Sequence, residues 1–154
     1  MAYTEPITNR TMTDIVNRTA KGHFNLSDWE RITGNTTHAR ELVEDIRSVV
    51  IREKLLPEQT VMSIPSAALI NRMVENIIAV QEKAGVASAS QYQLFASYDS
   101  TVGTRKPDYE TVNAWERVLD LIVKYLEQLQ IERFEIVGFA RCGADLTQNS
   151  RFGG

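Results

Sequence analysis

The feature that most constrains this chain is the stretch Asp108–Ile131, DYETVNAWERVLDLIVKYLEQLQI. Its apolar residues Val112, Trp115, Leu119, Ile122, Leu126 and Leu129 recur at steps of three, four, three, four and three. That spacing lays one dry stripe along a helix, close to a coiled-coil seam. Val118, Val123 and Tyr125 widen the stripe, which predicts packing against more than one neighbour. Pro107 cannot carry a helix in from upstream, and Asp108 is a capping residue, so the helix starts there. At about 1.5 Å per residue it reaches roughly 36 Å, the span of a small domain. The other helices are expected to pack on it.

Residues 1–9, with Pro6 and no periodicity, read as an extended arm. Thr11 or Thr13 caps a short helix that Lys21-Gly22 ends. A second helix starts at Asn25-Leu26-Ser27-Asp28 and sets Trp29, Ile32, Ala39, Leu42, Val43, Ile46, Val49 and Val50 on one side. Its stripe extends to about Leu55, before Pro57, with Gly34 as a close contact or a kink. A third begins at Ser63-Ile64-Pro65-Ser66, carries Leu69, Met73, Ile77 and Val80, and closes at Gly85. Residues 86–107 form a long loop folded back on the domain, since Tyr92, Leu94, Phe95 and Tyr98 are too apolar for a free linker. Arg133-Phe134-Glu135-Ile136 alternates as a strand does, and a lone strand must pair with a hairpin partner or with another chain.

A weak echo links the helices. Trp29-Glu30-Arg31-Ile32, Ile70-Asn71-Arg72-Met73 and Trp115-Glu116-Arg117-Val118 each set a large apolar residue two before an arginine. Either early helix turns simply mix anchors with charges, or the three helices are related units.

Composition narrows the function classes. A chain of 154 residues with 43% hydrophobic and 24% charged residues makes one globular domain. A net charge of −3 gives no footprint for nucleic acid. One cysteine, Cys142, and two histidines, His23 and His38, offer neither a disulfide nor a histidine or cysteine metal centre. No apolar run is long enough to span a membrane, and the N-terminus lacks a signal-peptide pattern. Glu41/Asp45 and Glu116/Asp120 are carboxylate pairs four apart, yet Arg40, Arg47, Arg117 and Lys124 stand within a turn of them. Mixed charges at that spacing describe a solvated helix face. No phosphate loop, nucleophile elbow or metalloprotease helix is present, so no catalytic residues, cofactor or metal are expected.

Several segments, taken in order, resemble one family. Asn9-Arg10-Thr11, Ala20-Lys21-Gly22-His23-Phe24-Asn25, Asp28-Trp29-Glu30-Arg31-Ile32 and Gly34-Asn35 resemble small virion proteins encoded in the tail modules of phages and prophages of Gram-positive bacteria. In this chain His23 is inserted before the aromatic residue of the Lys-Gly-aromatic-Asn link. Ser63-Ile64-Pro65 and Lys106-Pro107-Asp108-Tyr109, continuing to Val112-Asn113-Ala114-Trp115-Glu116-Arg117-Val118, resemble the second and third helix starts of that family. Arg141-Cys142-Gly143-Ala144 and Asn149-Ser150-Arg151-Phe152 resemble its ending, and residues 86–105 carry no part of the likeness. The resemblance implies a tail or baseplate component without an active site, made in the host bacterial cytoplasm and located in the virion.

Together these readings give a mainly α chain: a bundle of three long helices, a short N-terminal helix and a small C-terminal β strand or hairpin. The boundary falls between a helical domain over 1–131 and a β or tail segment over 132–154. The expected function is non-enzymatic assembly with other copies of the chain, as a homo-oligomer, and with neighbouring tail or baseplate proteins. The expected surface is Val112, Trp115, Leu119, Ile122, Leu126 and Leu129 together with Phe134 and Ile136 of the strand. The alternative is a receptor- or carbohydrate-binding module displayed on a tail through Tyr92, Phe95 and Tyr98.

Overall fold

The structure, a computed structural model, describes residues 2–62, 66–86 and 107–152. Its elements are α1 (Met12–Val16), a 3-10 turn (Ala20–Gly22), α2 (Leu26–Arg47), α3 (Ala67–Ala84) and α4 (Tyr109–Phe152). The short helix and three long helices match the helical part of the sequence reading.

Local chemistry explains where each element begins. Thr11 and Asp14 form a reciprocal capping box on α1, and Asn25 and Asp28 form another on α2. Ser66 accepts from the Leu69 amide at the start of α3, and Asp108 Oδ1 accepts from the Thr111 amide (2.7 Å) at the start of α4. Gly85 ends α3 at φ +73°, a left-handed position that glycine adopts at no steric cost. Gly22 is needed for closeness instead: a Cβ there would stand 2.3 Å from the Asp14 carbonyl oxygen.

Two boundaries differ from expectation. Helix α2 stops at Arg47 rather than near Leu55, because Ser48 turns left-handed (φ 55°) and the chain leaves extended. Residues 133–142, expected to form a strand, belong to α4, and no strand occurs among the described residues. The alternation there covers four residues and contends with a helix already running, with no proline between Asp108 and the end of the chain. A helix satisfies its own backbone hydrogen bonds, whereas a single strand does not. Over residues 132–152 the expected β segment is therefore replaced by an extension of α4.

The three long helices run in the same direction. Arg31 in the second turn of α2 meets Glu116 early in α4. Trp29 and Met73 line one groove, and at the far ends Arg47 donates to the Ala84 carbonyl (3.0 Å). Parallel helices need connections that travel back their full length. The link after α2 does so: Ile51 N–H donates to Glu44 (2.8 Å), Glu53 faces Arg40 (3.4 Å), and Lys54 lies on Asn76. The core lies between the helices and contains Trp29, Ile32, Val43, Met73, Ile77, Val80, Trp115, Leu119, Ile122 and Leu126, all buried. Each such side chain contributes about 1.5–3 kcal/mol by leaving water.

Candidate functional site

The polar centre of the molecule lies where the N-terminal arm crosses α2 and α4. The arm runs antiparallel to both helices. The Tyr3 ring lies beside His38, with centroids 5.8 Å apart, and its hydroxyl donates to Asp120 (2.6 Å). Burial, and then the bond to Asp120, raise the Tyr3 hydroxyl pKa above its ordinary value. Thr4 N–H donates to Asn35 Oδ1 (2.8 Å), and Asn35 Nδ2 returns a bond to the Thr4 carbonyl (2.8 Å). Farther along, Ile7 N–H donates to Glu116 (2.7 Å) and Arg117 donates to the Thr8 carbonyl (2.8 Å). At Arg10 the two-way grip recurs: its N–H donates to Asn113 Oδ1 (3.2 Å), and Asn113 Nδ2 donates to its carbonyl (2.9 Å).

Arg10 then enters a four-residue ionic junction. Its Nη2 donates to Asp28 Oδ1 and to Glu116 Oε1, each at 2.7 Å. Arg31 donates to Glu116 through Nη2 (2.7 Å) and Nε (2.9 Å), and its Nη2 also bonds Asp28. Two guanidiniums thus neutralise two carboxylates, with Arg10 5%, Asp28 2% and Glu116 1% exposed. Burial opposes the charge on Arg31, yet its bonds to Glu116 and Asp28 outweigh burial and hold its pKa above the ordinary value. A buried ionic cluster persists only when nearly every lone pair and proton is matched. Glu116 meets this condition: Arg10 and Arg31 occupy Oε1, while the Ile7 amide and Arg31 occupy Oε2.

That saturation governs what the arrangement can do. Glu116 has no lone pair free for a substrate proton or a cation, and the second oxygen of Asp28 is taken by the Asn25 amide (3.1 Å). The junction fastens main chain to two helices. Among the described residues no group of three or more His, Cys, Asp or Glu side chains is placed to hold a metal ion, and no helix is long and apolar enough to cross a membrane.

The residues singled out in the sequence divide accordingly. Val112, Trp115, Leu119, Ile122 and Leu126 are 3% exposed or less, packed on α2 and α3 within the same chain. The stripe is therefore interior to the bundle and not an open assembly face. Leu129 is half-buried and Phe134 is 72% exposed on α4, not on a strand. The Ile136 side chain and Tyr92, Phe95 and Tyr98 lie outside the described residues. Glu41 and Asp45 are exposed, as a solvated face requires, but Glu116 is interior, contrary to that reading. Arg10, Asp28, Arg31, Asn35 and Asn113 were not singled out as a site. Of these only Arg31 falls in the echo of the three helix starts, whose anchors Trp29, Ile70 and Trp115 are all buried, while Arg31 serves the junction and Arg117 the arm.

A second polar clamp, Asn76, grips Lys54 in both directions (2.7 and 2.9 Å). The link it holds walls an open groove of about 910 Å³ against α2 and α3, floored by Trp29, Ile51 and Met73. Comparisons with protein-family models, with curated proteins and with solved structures return no match.

Proposed function

We propose that this chain is a non-enzymatic structural subunit of a phage tail, baseplate or tail-like particle, acting through protein–protein contacts with its own copies and with neighbouring tail proteins. One observation carries the reading. Three segments behind the family resemblance, Asn9-Arg10-Thr11, Asp28–Ile32 and Val112–Val118, lie far apart in the chain yet converge on one buried junction. Their shared pattern then describes an architecture: an arm pinned across two helices. The saturation of Glu116 and the burial of Asp28 support a fastening role over acid–base chemistry, which needs a carboxylate open to its substrate. The exposure of residues 131–134 of α4, with Phe134 72% exposed, supports assembly by offering apolar helix surface to a neighbour.

The test is direct. Particles purified from the producing bacterium are probed by quantitative mass spectrometry and by immunogold electron microscopy with antibody to this chain. The expected result is a fixed number of copies per particle and label on the tail. A chain abundant in the lysate and absent from purified particles overturns the reading.

A further inference from the structure

The arm is fastened in an unusual way, and the fastening points to a partner. Beside the Tyr3 and Arg10 side-chain contacts, a run of polar bonds is aimed at the arm's main chain: Asn35 on Thr4, Glu116 on Ile7, Arg117 on Thr8 and Asn113 on Arg10. Such bonds recognise any extended backbone, much as strand addition does, and the Arg10 guanidinium supplies the specific element. The joint between arm and bundle is a separate small unit. Thr11, Asp14, Thr19 and Gly22 bond to one another, and neither α1 nor the 3-10 turn contains a buried residue. Swinging residues 2–24 about the entry to α2 lifts Tyr3 and Phe24 from the edge of the core and leaves the buried helix–helix cluster, which contains no residue of the arm, in place. An empty groove, in contrast, is unstable: Asp28 and Glu116 would keep two buried negative charges against the single cation Arg31.

We infer that residues 2–24 are an exchangeable strap, and that the α2/α4 groove of one copy receives the arm of a second copy when subunits associate. The occupant is fixed by charge: the groove needs an extended segment ending in a cation, and every copy carries one in Arg10. Exchange forms the same bonds between chains as within one, so only entropy and concentration separate the two states, the condition under which domain swapping is accessible. The inference rests on the assembly reading for its partner, a second copy of this chain.

Charge-swapped chains test it. One carries Arg10→Glu and keeps a normal groove, whereas the other carries Glu116→Arg and keeps a normal arm. Alone, each is expected to lose its strap to limited proteolysis at least tenfold faster than the unmodified chain. Mixed in equal amounts, they are expected to form a protected heterodimer of twice the 17.4 kDa chain mass. A mixture that stays at single-chain mass with cleavable arms overturns the proposal. Because either variant can fail to fold, the unmodified chain is also refolded from urea at high and low concentration, beside Arg10→Ala. A concentration-trapped dimer that Arg10→Ala does not form supports exchange. A monomer at every concentration, or an Arg10→Ala dimer formed equally well, overturns it. In the latter case particle incorporation, measured separately, still stands or falls by itself.

Discussion

Glu116 is the residue on which most of the tertiary structure converges, since it joins α2, α4 and the arm through one carboxylate. Glu116→Ala leaves Arg10 and Arg31 buried with Asp28 alone, and breaking such a cluster costs about 3–5 kcal/mol. Urea unfolding should show a loss of that size, and a loss under 1 kcal/mol would mean that water reaches the junction freely. Asn113→Ala removes the clamp and leaves the Arg10 amide and carbonyl without partners, which costs about 1–3 kcal/mol. Glu53 behaves in the opposite sense. Burial raises its pKa, against the pull of Arg40 and with help from Glu44 and Glu41. In the unfolded chain the same carboxyl ionises at lower pH, so the folded state loses stability as pH rises through the raised value. Glu53→Gln should therefore raise the urea midpoint at neutral pH and leave it unchanged well below the ordinary carboxylate range. None of this was legible in the sequence. Sequence spacing shows which charges share a helix turn, so Glu116 looked solvated beside Arg117. Its real partners stand 85 and 106 residues away.

Elements were read more successfully, because caps and stripes are local. Asp108, Asn25, Thr11 and Gly85 mark the ends that their side chains or backbone freedom predict. Gly85→Ala should lower stability by about 1 kcal/mol or slightly more, since alanine is strained at φ +73°. A small shift in melting temperature with unchanged helix content would match that expectation. Ile122 has no exposure at all, and Ile122→Asp sets a charge in the centre of the bundle. Circular dichroism should report an unfolded chain, and a folded one would mean that the stripe is not interior. The misread elements failed for one shared reason. The end of α2 and the supposed strand both depend on which backbone hydrogen bonds are cheapest to keep, and side-chain alternation over four residues carries little information on that point.

At the scale of the whole molecule, three helices in parallel explain why so much of the chain is not helical. Each return has to cover a helix length, and the arm and the 48–62 link lie as extended segments in the grooves they cross, held by Asn35, Asn113 and Asn76. The sequence gives long loops but not their direction, since an antiparallel bundle uses the same stripes. The arrangement also sets residues 112–126 of α4 apart from residues 131–134. Leu126 is fully buried, Leu129 is half-buried, and residues 131–134 are exposed. A helical segment without tertiary cover is marginal in water, because packing supplies most helix stability in proteins. Native-state hydrogen exchange on the free chain should therefore show amides of 112–126 opening only with global unfolding, and those of 131–134 exchanging orders of magnitude faster. Under assembly conditions the second group should gain protection if this stretch of α4 is where subunits meet. Equal protection of 112–126 and 131–134 in the dilute chain would mean that the second stretch is already packed, and that contact between copies is made elsewhere on the bundle.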